Sequence, residues 1–228
     1  MNYDDHLREV CRVENVRIHA ENLAKLSWGN YSCIDRSKGL VYIKPSGIDP
    51  SKIEDRDIAV VTLDGKQVAG LKKSVDTNIH LSIYQTLARV TSICHTHSTY
   101  ATSFAQARRS IQQYGTTHCD VFPSEVRVID PPTHIYSLGR DHEKELGKFI
   151  SESLTENDFG AILVAHHGPF VWSQDFRAID VAVALEEIAK MSFITEQLGS
   201  KKAVPVEVSR FHWSRKHGKG SWYGQGGN

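Results

Sequence analysis

Two groups of histidines in this sequence have the spacing of metal ligands. His95 and His97 stand two residues apart at the end of a short apolar run. Because side chains alternate along an extended chain, residues two apart share a face, and both imidazoles can reach one point. His166 and His167 follow a second apolar run, residues 160–165. The pattern fits a metal site at one edge of a sheet, and it equally fits buried histidines that hydrogen-bond to the backbone.

Asp76 is the candidate oxygen ligand for such a site. It stands in Ser74-Val75-Asp76-Thr77, at the point where an amphipathic helix is predicted to begin. A catalytic zinc site typically has about three protein ligands and one open position, with Zn–N bonds of about 2.0–2.1 Å. A carboxylate at the start of a helix is also a common N-cap. The residues alone leave both roles open for Asp76.

The elements that must position these residues alternate between helices and strands. Residues 31–35 with 40–44 predict one hairpin, and residues 58–63 with 66–68 predict a second across Asp64-Gly65. Further strands are predicted at 91–95 and 160–165, the second ended by a turn at Gly168-Pro169, and helices at 77–88, 99–108, 143–154 and 176–198. Prolines predict irregular structure over residues 115–138. The expected fold is one α/β domain, residues 1–228, with a mostly antiparallel sheet covered by helices.

Composition excludes several classes of function. Lys and Arg together number 27, as do Asp and Glu, and the pI is about 7.2. This balance argues against nucleic-acid or membrane-surface binding, both of which favour basic proteins. No apolar run approaches the ~20 residues of a membrane span. The acidic start MNYDDHLREV does not resemble a signal peptide, so we expect a cytoplasmic protein with reduced cysteines.

Seven motifs, in order, resemble the class II aldolase/epimerase superfamily from about Leu23 to Gln225. The resemblance is strongest to its branch that interconverts L-ribulose 5-phosphate and D-xylulose 5-phosphate at C4. The motifs are Ser27-Trp28-Gly29-Asn30, Lys44-Pro45-Ser46-Gly47, Ser74-Val75-Asp76-Thr77, His95-Thr96-His97-Ser98, Gly115-Thr116-Thr117-His118-Cys119-Asp120, His167-Gly168-Pro169-Phe170, and Lys216-His217-Gly218 with Tyr223-Gly224-Gln225.

The resemblance implies a three-layer α/β/α sandwich and a homotetramer with active sites between subunits. It implies one Zn²⁺ per subunit, held by His95, His97 and His167, with Asp76 nearby or bound. His167 matches the family position, and His166 does not, because His167 directly precedes Gly168.

The resemblance also implies which residues act on the substrate. Asp120 and Tyr223 match the acid/base pair, the tyrosine comes from the neighbouring subunit, and His212 lies close by. Residues that match the substrate phosphate site are Gly29, Asn30, Lys44, Ser46, Gly47 and Ser74. Arg215 and Lys216, in the basic tail, are expected to face an anion at the subunit interface.

The implied reaction is a retro-aldol cleavage followed by an aldol addition on the other face. C4 carries a hydroxyl group but no acidic C–H, so inversion cannot begin with proton removal from that carbon. The enediolate formed by C3–C4 cleavage is an anion that a Lewis-acidic metal stabilises. Two proton carriers on opposite faces are then needed, which is the expected role of Asp120 and Tyr223.

Some positions depart from the family pattern and keep other functions open. Val75 stands where a second serine is usual, and residues 121–147 are unlike the usual epimerase segment. An epimerase for a modified sugar in a specialised pathway is therefore one alternative. A class II aldolase for a related ketose phosphate is another, although such aldolases typically place glutamate at the position of Asp76. A non-catalytic oligomerisation domain is the third, and the intact histidines argue against it.

Overall fold

The helices and strands interleave along the chain. This computed structural model describes residues 3–155, 158–199, 202–217 and 221. The helices are α1 Tyr3–Ala20, α2 Thr77–Thr86, α3 Thr99–Gln106, α4 Thr116–Val121, α5 His142–Ser153, α6 Ala178–Gln197 and α7 Val206–His217. The strands are β1 Asn30–Asp35, β2 Leu40–Ile43, β3 Ala59–Thr62, β4 Gln67–Ala69, β5 Ser92–His95, β6 Val128–Ile129, β7 Ala161–Val164 and β8 Gly168–Ser173.

The strands form one eight-stranded sheet in the order β4-β3-β2-β1-β5-β8-β7-β6. Neighbouring strands are antiparallel except for β6 and β7, which are parallel. Both predicted hairpins are present, as β1–β2 and β3–β4. Strands β5 and β8 are neighbours at the centre of the sheet, with His95 opposite Phe170. This register brings the histidine-bearing segments to the same end of these central strands.

Helices cover both faces of the sheet. Residues of α1, α3 and α6 share one hydrophobic core with alternate strand residues, such as Cys33. Residues of α2 and α5 share the other core with the intervening strand residues, such as Ile34. Successive side chains of a strand point to opposite faces, so one apolar strand supplies both cores. The predicted three-layer α/β/α fold is confirmed, whereas the single domain stays a prediction.

Two regions differ from the prediction. Residues 115–138 are not irregular throughout, because α4 precedes Pro123, β6 lies between Pro123 and Pro131, and a 3-10 helix at Thr133–Ser137 follows Pro132. The prediction of a turn at Gly168-Pro169 is also wrong, because these two residues begin β8. Pro169 has no N–H to donate, but its carbonyl oxygen accepts a hydrogen bond from Thr96 N at 3.4 Å.

The basic tail contains a helix that the sequence pattern did not predict. Helix α7 has no distinct apolar face, since Val206 and Phe211 are exposed, and it packs on α4. Across the parts of the chain that the structure describes, every helix is too short or too polar to cross a bilayer.

Candidate metal centre

Three histidine side chains converge at one end of the central strands of the sheet. His95 ends β5, His97 lies in the loop before α3, and His167 lies in the loop between β7 and β8. The Nε2 atom of His95 is 3.1 Å from that of His97 and 3.0 Å from that of His167. One ligand atom from each residue lies within 4.8 Å of the others. The structure therefore brings together the three histidines that the sequence singled out as ligands.

The protonation pattern of His95 fits a metal ligand. Its Nδ1 lies 2.9 Å from the carbonyl oxygen of Pro169. A carbonyl only accepts hydrogen bonds, so Nδ1 carries the proton and Nε2 presents a lone pair to the other two rings. One lone pair accepts one ordinary hydrogen bond, yet two nitrogens approach it. In a tetrahedral site with bonds of about 2.0–2.1 Å the ligand nitrogens lie about 3.3 Å apart, so the donor set fits a divalent cation.

Loss of hydration favours the neutral form of these imidazoles, which is the form that binds a metal, although only His95 is fully buried while His167 is half-buried and His97 is exposed. Burial holds the pKa of His95 well below its usual value, and the neighbouring His167 and His97 lower that pKa further. Burial also lowers the pKa of His97 and of His167, and the negative charge of Asp76 opposes part of that effect. The cluster is therefore poor at holding protons and open to a cation.

Aromatic rings surround the three histidines. Phe170 stacks on His95 with ring centroids 4.2 Å apart and an interplanar angle of 13°. The Trp28 ring lies 6.1 Å from the His97 ring, and 52% of Trp28 is exposed. Phe170 therefore restricts rotation of the His95 ring, while Trp28 forms an exposed apolar wall beside His97.

Asp76 lies beside this cluster without joining it. It occupies the N-cap position of α2, as the cap alternative predicted, but its side chain makes no capping hydrogen bond. Its Oδ2 instead accepts a hydrogen bond from Asn30 Nδ2 at 2.6 Å. The group of three histidines within mutual reach does not include its carboxylate. Its role as a ligand stays a prediction.

The residues predicted to hold a phosphate divide into two groups. Asn30 and Ser74 are buried and joined by a hydrogen bond of 3.3 Å. Buried Lys44 donates from Nζ to the carbonyl oxygen of Ser27 at 2.7 Å. Burial lowers its pKa, although the charges of Asp76 and Asp49 raise it in part.

The remaining phosphate candidates lie on turns. The Ser46 N–H already donates to the carbonyl oxygen of Lys72 at 2.8 Å, and Gly47 is exposed. Gly29 has φ +73°, and a Cβ there would lie 3.0 Å from the carbonyl oxygen of His95. A side chain at Gly29 would therefore press on the strand that carries a candidate ligand, which gives this glycine a structural reason besides phosphate binding.

Asp120 belongs to a separate cluster between α4 and α7. His212 Nδ1 donates to Asp120 Oδ1 at 3.0 Å, and Arg215 Nη2 donates to Oδ2 at 2.6 Å. Lys216 Nζ lies 3.6 Å from the same carboxylate. Burial raises the pKa of Asp120, but the hydrogen bonds from Arg215 and His212 and the charge of Lys216 lower it below its usual value. Asp120 is therefore held as a carboxylate.

The structure brings Asp120, His212 and Arg215 together, but it does not join them to the histidine cluster through any contact among the residues it describes. Arg215, expected to face a substrate anion, here pairs with Asp120. Tyr223 lies outside the described residues. The assigned roles of all four residues stay predictions.

Two residues near the candidate site escaped sequence reasoning. Phe170, which stacks on His95, is the last residue of the motif His167-Gly168-Pro169-Phe170, but the motif gave it no role. Glu186 on α6 accepts hydrogen bonds from the backbone N–H groups of Tyr100 and Ala101, in the first turn of α3. No sequence signal marks Glu186, because 86 residues separate it from Tyr100, its partner in space.

Comparison with known proteins identifies the family. Residues 8–193 match the family described as Class II Aldolase and Adducin N-terminal domain. The chain belongs to this family. It is 38% identical over 220 residues to the L-ribulose-5-phosphate 4-epimerase UlaF of Salmonella paratyphi C, covering 92% of this chain and 95% of that protein. The UlaF protein of Salmonella typhi is also 38% identical over the same shares of both chains.

Solved structures of the family superpose on this chain. An L-fuculose 1-phosphate aldolase matches with a TM-score of 0.78 and 27% identity, over 93% of this chain and 95% of that one. YgbL from Escherichia coli has the same TM-score with 23% identity, over 92% of this chain and 100% of its own, which supports the fold alone. The predicted superfamily resemblance, its epimerase branch and an isomerase-type enzyme are confirmed.

Proposed function

We propose that this protein is a zinc-dependent sugar-phosphate 4-epimerase. The proposed reaction inverts C4 of a pentulose phosphate and converts L-ribulose 5-phosphate to D-xylulose 5-phosphate. The convergence of three Nε2 atoms, in a chain 38% identical to an epimerase over 92% of its length, is the observation that supports it most. A neutral imidazole set leaves the positive charge of a bound cation undiminished, which favours Lewis-acid chemistry.

His95, His97 and His167 would hold the ion, with Asp76 close enough to influence two of these imidazoles. When bound, the ion supplies stabilisation of the negative charge that develops on substrate oxygens as the C3–C4 bond breaks. Asp76 in turn is oriented by Asn30 at 2.6 Å. A residue with its own hydrogen-bond partner is held in place for a ligand or substrate contact.

Proton transfer is assigned to Asp120 and Tyr223. One carrier takes the C4 hydroxyl proton before cleavage, and the other returns a proton on the opposite face after the aldehyde fragment turns. His212, whose Nδ1–H donates to Asp120 at 3.0 Å, would orient this carboxylate for the transfer. We place Tyr223 of a neighbouring subunit on the second face, within a cytoplasmic homotetramer.

The phosphate would lie near Asn30, Lys44 and Ser74, with the turns at Gly29, Ser46 and Gly47 around it. Lys44, which is buried there, would supply a positive charge to the phosphate. Arg215 would add a positive charge when it exchanges Asp120 for a substrate anion. Val75, which is 57% exposed, offers no hydroxyl there, which allows a related or modified sugar.

A class II aldolase is the second candidate function. Its support is the 27% identity to an L-fuculose 1-phosphate aldolase over 93% of this chain. Both reactions share the cleavage step, and they differ in whether the fragments recombine before leaving. The aspartate at position 76 and the presence of Asp120 favour recombination.

The experiment is a product assay on the metal-loaded protein. Purified protein is incubated with L-ribulose 5-phosphate labelled with ¹³C at C4, and the products are followed by NMR. We expect D-xylulose 5-phosphate without free two- or three-carbon fragments, and slower conversion by Tyr223→Phe with its zinc retained. Accumulated fragments would indicate the aldolase, and absence of both metal and turnover would indicate a non-catalytic homologue.

A further inference from the structure

Helix α3 connects the two chain segments that carry candidate ligands. Its first residue, Thr99, follows His97 by two positions. At its other end, the Ala105 carbonyl oxygen accepts a hydrogen bond of 3.4 Å from the backbone N–H of His166, the residue before His167. A short helix is a stiff unit, so its position constrains both loops at once.

Glu186 on α6 fixes the start of α3. Its Oε1 accepts from Tyr100 N at 2.8 Å, and its Oε2 accepts from Ala101 N at 2.9 Å. The residue in the N-cap position, Ser98, makes no side-chain capping bond of its own. A carboxylate from another helix therefore satisfies two N–H groups that would otherwise lack partners, and its charge favours the helix N-terminus.

Arg108 fixes the opposite end of this arrangement. Arg108 Nε and Nη2 donate to His166 Nε2 at 3.1 and 2.9 Å. Arg108 Nε also lies 3.3 Å from Asp130 Oδ2. Arg108 has φ +54° and His166 has φ +64°, a left-handed conformation that is uncommon for residues other than glycine. Such strain persists where surrounding contacts impose it.

The packing between these ends leaves little room for movement. A Cβ at Gly168 would lie 2.7 Å from the carbonyl oxygen of Thr96 and 3.4 Å from Thr102 Oγ1 on α3. The loop that carries His167 therefore lies directly against the loop that carries His97 and against the helix that follows it.

We propose that Glu186 and Arg108 are positioning residues, which act through α3 and the His166 turn to set the distance between the His97 and His167 imidazoles. Neither residue belongs to the group of three converging histidines. The inference rests on the proposed metal site, since it concerns how well that site is preformed. Partners outside the ligand shell typically change metal affinity by about 10- to 100-fold when they are removed.

The test is the zinc dissociation constant of chelator-treated protein, measured by competition with a chromophoric chelator. Glu186→Ala and Arg108→Ala are each expected to raise it about tenfold. Glu186→Gln, which keeps one acceptor, is expected to give a smaller rise. The visible spectrum of the Co²⁺-loaded variants, which reports ligand geometry, is expected to change in the two alanine variants.

Matched controls separate positioning from general loss of stability. Glu187→Ala alters the adjacent exposed glutamate, and Arg56→Ala removes an exposed arginine of the 3-10 helix Asp55–Asp57 that pairs with Glu54. Ile150→Ala, in the core on the other face of the sheet, lowers stability without touching α3. All three are expected to keep the wild-type zinc affinity and Co²⁺ spectrum.

The outcomes are distinguishable. Zinc affinities of Glu186→Ala and Arg108→Ala within about twofold of the controls would overturn the inference while leaving the metal site in place. If Glu186→Ala does not fold, the zinc affinities of Glu186→Gln and Arg108→Lys are compared with those of the controls instead. A wild-type protein without zinc affinity would overturn the proposed function, and the inference with it.

Discussion

At the scale of single residues, the candidate centre depends on which nitrogen of each imidazole carries a proton. The Pro169 carbonyl fixes the proton of His95 on Nδ1, and Phe170 holds the ring plane. Because burial lowers the pKa of all three histidines, no proton has to leave the cluster near neutral pH before a cation binds. The protein thus prepares the ligands through backbone and packing contacts.

His97→Asn is expected to abolish stable zinc binding and to reduce turnover by more than about 100-fold, because one of three ligand nitrogens is lost. The fold should persist, since His97 is exposed and belongs to neither hydrophobic core. Elemental analysis, activity and circular dichroism check the three parts of this expectation. His6→Asn, on the exposed side of α1, serves as the control. Wild-type zinc content in His97→Asn would contradict the assignment.

Gly168→Ala is expected to lower the free energy of unfolding by about 1–3 kcal/mol, because the added Cβ meets the Thr96 carbonyl oxygen at 2.7 Å. Zinc affinity should fall as well, since His167 adjoins this position. Gly115→Ala, where a Cβ meets nothing within 4 Å, is the matched control. Chemical denaturation of both variants measures the difference, and equal midpoints would refute the argument.

At the scale of elements, local signals predicted most of the framework. The β1–β2 and β3–β4 hairpins were predictable because Ser-Lys-Gly and Asp-Gly turns separate apolar runs. Helix α4 was missed because it spans only Thr116–Val121 between Gly115 and Pro123. Strand β8 was missed because Gly168 and Pro169 are typical turn residues, and only the neighbouring strands give them a place in the sheet.

The candidate site was predictable where residues adjacent in sequence are adjacent in space. His95 and His97 were found from their spacing at the end of one predicted strand, and His167 from a matching motif. Helix α7 was missed because its polar composition gives no helical periodicity, and its contacts with Asp120 join residues more than 90 positions apart. Such long-range pairs have no local signature.

Asp120→Asn is expected to loosen α7 from α4, because the carboxylate accepts from both Arg215 and His212. Trypsin should then cut at Arg210, Arg215 or Lys216 several times faster than in the wild type. Limited proteolysis followed by mass spectrometry measures this rate. Asp180→Asn, which removes an exposed ion pair between α6 and α1, should leave cleavage of α7 unchanged. Unchanged cleavage in Asp120→Asn would show that other contacts hold α7.

At the scale of the whole molecule, two buried histidines outside the candidate centre make stability depend on pH. Burial lowers the pKa of His80 on α2 to about 4 and that of His118 on α4 to about 4. In the unfolded chain a histidine has a pKa of about 6.5. Between these values the unfolded chain binds protons that the folded chain does not, so acid favours unfolding.

The zinc-free protein is therefore expected to lose stability as the pH falls from 7 towards 4, with no further loss from these two residues below about pH 4. Each of them accounts for about 2 kcal/mol by pH 5. The pKa values of the three candidate ligands are also lowered, so these residues add to the loss of stability in acid. Urea midpoints between pH 7.5 and 4.5 measure the slope. The urea midpoint of His118→Asn should fall less steeply with decreasing pH than that of the wild type. An equal slope would show that His118 does not contribute to the pH dependence of stability.

The most direct test of the metal-dependent epimerase is a zinc titration of activity. Protein freed of metal by a chelator receives zinc in increments, and the rate of conversion of L-ribulose 5-phosphate to D-xylulose 5-phosphate is recorded after each addition. The rate is expected to rise linearly from near zero and to level off at one zinc per chain. Full turnover before any zinc is added, or a rate that zinc leaves unchanged, would contradict the account.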